Sequence, residues 1–101
     1  MVQHIGVHVE DERGAVLARY SEMGAPVELI DLAPSTSVCL RFLDPYGDAV
    51  FNQLQLPVLI GELGSIRDNT RDEDLRGRLD SLIGFIDASR DIHTYVRFVG
   101  D

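Results

Sequence analysis

The sequence predicts an α+β domain: a mainly antiparallel sheet of four to six strands with a two-helix hairpin packed on one face, in the chain order ββ(β)ββααβ. Three observations carry this. Apolar residues recur at every second position in Ile5, Val7 and Val9 and again in Val38, Leu40 and Phe42, the period of a half-buried strand. From Pro57 onward the period lengthens to that of a helix, first in Leu59, Leu63 and Ile66 and then in Leu75, Leu79, Leu82 and Ile86. Alternation then returns at the end of the chain, where Val96 and Phe98 interleave with Tyr95, Arg97 and Val99.

Taken in order, Val2 to Glu10 reads as a strand with Ile5, Val7 and Val9 on its dry face and His4, Gly6, His8 and Glu10 on its wet face. Asp11-Glu12-Arg13-Gly14 has turn composition, with glycine where a positive φ is needed, and Ala15 to Tyr20 returns as a second strand. Val27 to Leu32 reads as a weak edge strand, and Ala33 to Ser37 is a run of loop formers. The centre of the chain, Thr36 to Leu56, reads as a hairpin. Its arms are Val38–Phe42 and Ala49–Phe51, and its turn is Asp44-Pro45-Tyr46-Gly47-Asp48, in which proline presets one torsion and Gly47 supplies a left-handed one. A first helix runs from about Pro57 to Asp68, with a strand over Val58–Ile60 as its rival. A second runs from about Arg71 to Ser89 behind the capping box Thr70-Arg71-Asp72-Glu73. Gly61 and Gly64 share one side of the first helix, and Gly77 and Gly84 share one side of the second. The pair therefore reads either as closely packed through glycine or as flexible. His93 to Gly100 is the last strand, antiparallel to Ala49–Leu54 if the two are neighbours. The expected core is Ile5, Val7, Leu40, Phe42, Leu59, Leu63, Leu79, Leu82, Ile86 and Phe98.

A chain of 101 residues has room for one domain with a core large enough to fold without metal or disulfide. Its single cysteine, Cys39, cannot pair within the chain, fits a reducing cytoplasm and is expected to be a packed side chain. No segment has the apolar length of a membrane span, and no basic-then-apolar leader opens the sequence, so a cytoplasmic protein is expected, with no membrane partner. The net charge of −8 argues against a nucleic-acid partner and for a basic protein partner, or else for plain solubility. All nine basic residues are arginine, as a GC-rich bacterial genome would favour.

Signals for catalysis are weak. His4 and His8 share a strand face, but four residues of strand span about 13 Å, too far to ligate one ion, and His93 can join either only through the tertiary fold. Cys39 lacks a local nucleophile signature, and Ser65 in Gly61-Glu62-Leu63-Gly64-Ser65 does not form the nucleophile elbow. No catalytic, cofactor or metal residue is therefore assigned. Surface recognition remains, and its candidate is the turn, where Tyr46 stands between Asp44 and Asp48 as an aromatic anchor for a basic groove. Small acidic α+β chains of this layout resemble in type the bacterial immunity proteins, and that resemblance implies an inhibitor of a basic partner. The expected function is thus a non-enzymatic interaction module, with a structural or regulatory homo-oligomer as the alternative and a small enzyme behind both. A homodimer is expected from the weak edge and the glycine-faced helices.

Overall fold

The computed structural model of the chain describes residues 5–21, 24–44, 46–91 and 93–100. The elements follow in the order β1 (Gly6–Asp11), β2 (Val16–Arg19), α1 (Leu29–Leu32), a 3₁₀ turn (Leu40–Phe42), β3 (Asp48–Phe51), α2 (Leu56–Asn69), α3 (Glu73–Ala88) and β4 (Thr94–Val99). The strands form one antiparallel sheet ordered β2-β1-β4-β3, so the first and last strands meet at its centre. This is the α+β architecture that the sequence predicts, including an antiparallel β3–β4 pair.

Cross-strand register explains the two faces. Val7 stands opposite Phe98 and Val9 opposite Val96, while Ala49 and Phe51 of β3 face Phe98 and Val96 from the other side. These side chains form one buried cluster with Leu56, Leu59 and Leu63 of α2 and Leu75, Leu79, Leu82 and Ile86 of α3. The Phe51 and Phe98 rings meet edge to face at 5.7 Å, a geometry worth about 0.5–1.5 kcal/mol beyond burial. Nine of the ten predicted core residues are buried; the exception is Phe42, 57% exposed.

Helix starts follow local chemistry. Asn52 Oδ1 accepts the N–H groups of Leu54 and Gln55 just before α2, and the Gln55 side chain accepts the Asn52 N–H in return. For α3 the N-cap is Asp72, whose carboxylate accepts the N–H groups of Asp74 and Leu75, not Thr70 of the predicted capping box. Thr70 instead closes α2, its N–H donating to Ile66 O. At Gly24 the backbone takes φ +66°, and a Cβ there would stand 2.5 Å from Ile5 O, the acceptor of the Ala25 N–H.

Other expectations are corrected. Val27–Leu32 is not an edge strand: past Pro26 the chain turns into the short α1, which buries Leu29. The segment Val38–Phe42 is not the first arm of a hairpin, since Leu40–Phe42 folds as a 3₁₀ turn, with Cys39 and Leu40 buried and Val38 and Phe42 exposed. The Asp44–Asp48 turn therefore opens β3 without joining two strands, and Gly47 does not take the left-handed conformation; Pro45 lies outside the described residues. Nor do the helical glycines bring α2 and α3 together, because a Cβ added at Gly61, Gly77 or Gly84 would meet nothing within 4 Å.

Two predictions follow from this packing. Leu82, fully buried on α3, is expected to cost about 2–5 kcal/mol on truncation to alanine, read by chemical denaturation; a loss under about 0.5 kcal/mol would contradict the register of α3. Replacing Gly61, Gly77 and Gly84 together by alanine is expected to stabilise by about 0.5–1 kcal/mol each and to raise Tm by about 6 °C or more. A lowered Tm would show that these positions do meet a neighbour.

Candidate interaction surface

The structure places Tyr46 on a firmly held turn. Asp44 Oδ1 accepts the Tyr46 N–H (2.8 Å), and Gly47 O accepts the Gly100 N–H (2.8 Å), which ties the turn to the end of β4. The approach is so close that a Cβ on Gly100 would run into Asp44 O and the Gly47 backbone. Tyr46 itself is 74% exposed, so its ring is offered to solvent from a backbone with little freedom to lose. Asp44 is exposed beside it. Asp48 is different, because its Oδ2 accepts a hydrogen bond from Arg97 Nη1 (3.0 Å) and the carboxylate is partly neutralised within the chain.

Beside the turn, β3 forms one edge of the sheet. Gly47 and Gly100 continue the β3–β4 register as a hydrogen-bonded pair. By the alternation of antiparallel ladders, Ala49 and Phe51 then bond to β4, while Asp48 and Val50 direct their N–H and C=O groups away from the sheet. A shallow groove of about 320 Å³ runs along this edge, lined by Phe42, Asp48, Ala49, Val50, Phe51 and Gln55. The Arg41 guanidinium lies over the Phe42 ring at 4.9 Å.

The sheet face away from the helices carries a polar network that the sequence did not reveal. Arg97 Nη2 donates to Glu10 Oε1 (2.9 Å) and its Nε to Oε2 (3.0 Å), a bidentate pair, and His8 Nε2 lies 2.8 Å from Oε2. Glu10 is only 7% exposed. The Arg97 hydrogen bonds hold its carboxyl below the usual glutamate range, against burial, which raises it, and with help from His8. In turn the Glu10 hydrogen bonds make Arg97 hold its proton more firmly. Both oxygens of Glu10 are thus engaged by neighbours within the fold. Alternation places Glu10 and Arg97 on the wet face, but their pairing spans 87 residues and depends on β1 meeting β4.

A second carboxylate the sequence did not single out is Glu62 of α2. It accepts the N–H groups of Val38 (2.6 Å), Cys39 (3.1 Å) and Leu40 (2.9 Å), fixing the approach to the 3₁₀ turn. Its position on the flank of the Leu59–Leu63–Ile66 stripe was the available signal. Cys39 is buried, and burial, with Glu62 nearby, pushes its thiol up from the usual range, as fits a packed side chain. The histidines go separate ways: His8 faces Glu10, His93 Nδ1 lies 3.3 Å from Glu12 Oε2 at the surface, and His4 is outside the described residues. Among the described residues no group of three or more His, Cys, Asp or Glu is placed to hold a metal ion, and no helix is long and apolar enough to cross a membrane. No protein-family model, curated protein or solved structure matches the chain.

Because the folded Glu10 pKa is lowered, its pair stabilises the fold above the ordinary glutamate pKa of 4.5, and that contribution is lost as pH falls through the lower folded value. Glu10→Gln is expected to cost about 1–3 kcal/mol near neutral pH and to flatten the acid limb of stability against pH in denaturant titrations. An unchanged acid limb would mean that other carboxylates govern it.

Proposed function

We propose that this chain is a non-enzymatic, acidic protein-interaction module of the cytoplasm that binds, and by binding inhibits, a basic protein. The observation that carries the reading is Tyr46: a large ring, 74% exposed, on a turn whose backbone is bonded to β4 and flanked by carboxylates. Exposed aromatics on preordered backbone are the anchors that interfaces use, and the net charge of −8 favours encounter with a basic surface. The engagement of Glu10 by Arg97 and of Glu62 by three backbone N–H groups supports binding over catalysis, since each carboxylate serves the fold. A homo-oligomer is the alternative reading: Val27–Leu32 offers no strand edge, whereas a Cβ at Gly61, Gly77 or Gly84 would meet nothing within the chain, which leaves that surface open to a second copy.

The test is capture of a partner on the immobilised protein, its identification, and binding kinetics on the purified pair. Affinity is expected to fall as salt rises, since exposed charges are screened within about 8 Å at physiological ionic strength. Asp44→Asn is expected to slow association, and Tyr46→Ala to weaken binding by about 2 kcal/mol or more, chiefly through faster dissociation. Asp48→Asn is a poorer probe because it also releases Arg97. Binding that ignores salt and both substitutions would remove this surface from the account.

A further inference from the structure

We propose that the free edge of β3 receives a fifth strand: an extended segment of a basic partner in which apolar side chains alternate with arginine or lysine. The inference rests on the interaction-module reading above and specifies the partner's conformation and its place on the fold.

The sheet has two edges, and they differ. Along β2 the register slips between Val9 and Glu10, a bulge that twists the edge away from a flat partner, and Arg19 lies within the strand. A basic segment meets both a distorted ladder and like charge there. Along β3 the sequence Asp48-Ala49-Val50-Phe51 is short and acidic at Asp48, but it contains no proline, no basic residue and no bulge to turn away a basic strand. Its outward N–H and C=O groups on Asp48 and Val50 define a ladder for one more strand.

The side-chain environment fits an alternating guest. In a fifth strand, successive side chains point to opposite faces of the sheet. On one face they reach the groove beside Phe42 and Gln55, which suits an apolar group. On the other they lie beside Asp48, with exposed Asp44 at the turn, which suits a cation. A second copy of this chain fits less well, because a two-fold β3–β3 ladder brings two Asp48 carboxylates to one seam between chains of net charge −8.

The probe is a blocked peptide alternating arginine and valine, long enough to span β3, titrated into the full chain with amide hydrogen exchange as the readout. The Asp48 and Val50 amides are expected to gain protection, and a peptide with glutamate in place of arginine is expected not to bind. Val50→Pro removes one outward N–H and is expected to weaken binding about tenfold or more, the scale of one lost hydrogen bond. Its fold is checked by unchanged protection in β1 and β4. Should that variant not fold, an arginine–valine peptide N-methylated at every residue, which leaves neither edge of the strand an N–H to donate to the ladder, replaces it and is expected not to bind. Equal binding of that peptide, protection confined to β2 or to the open sheet face, or a native dimer that Val50→Pro dissolves would each overturn the proposal. If Val50→Pro leaves binding intact while Tyr46→Ala abolishes it, the strand is wrong and the turn reading stands.

Discussion

Three backbone N–H groups share one carboxylate, and much of this structure depends on that arrangement. Cys39 and Leu40 are buried in a segment that belongs to neither the sheet nor a long helix, so their amides have no ladder to join. A buried donor left unpaired costs about 1–3 kcal/mol, and Glu62 removes that cost at Cys39 and Leu40 with a charged acceptor. The consequence reaches the sheet. Held by α2, residues 38–42 do not lie alongside β3, which they would in the hairpin that their alternation suggests. Phe42 approaches β3 as one wall of the edge groove, and among the described residues no strand pairs with that edge.

What the sequence disclosed and what it withheld divide along the range of the interactions. β1, β4, α2 and α3 were legible because each buries one face, and periodicity reports that directly in Val7 and Val9, or in Leu75, Leu79, Leu82 and Ile86. The segment 38–42 was misread for the same reason. Alternation describes two-sidedness, and a segment that buries Cys39 and Leu40 while exposing Val38 and Phe42 can carry an alternating sequence without being a strand. Nothing within those residues names Glu62, which acts from more than 20 residues away. The Glu10–Arg97 pair was hidden likewise, its members assigned to a wet face without a known partner. At the turn, the exposure of Tyr46 was legible, because proline, aspartate and glycine served the backbone and the ring had no local role. The backbone of Gly47 was misread as left-handed, since that reading presupposed a hairpin that does not form.

Arg97 joins the two halves of this picture. It ties Glu10 of β1, across β4, to Asp48 of β3, and so sets the side-chain order of the open face at the edge. The two contacts are unequal. Glu10 is almost fully buried and binds through both oxygens, whereas the Asp48 side chain is 44% exposed and makes one contact, a class of ion pair worth about 0–1 kcal/mol. An incoming cation at the β3 edge competes with Arg97 for the weaker of them, and Arg97 keeps its two bonds to Glu10 when Asp48 turns away. Asp48 is therefore positioned by the fold without being committed to it, a combination that an edge carboxylate needs if it is to meet a basic partner at little cost to the sheet behind it.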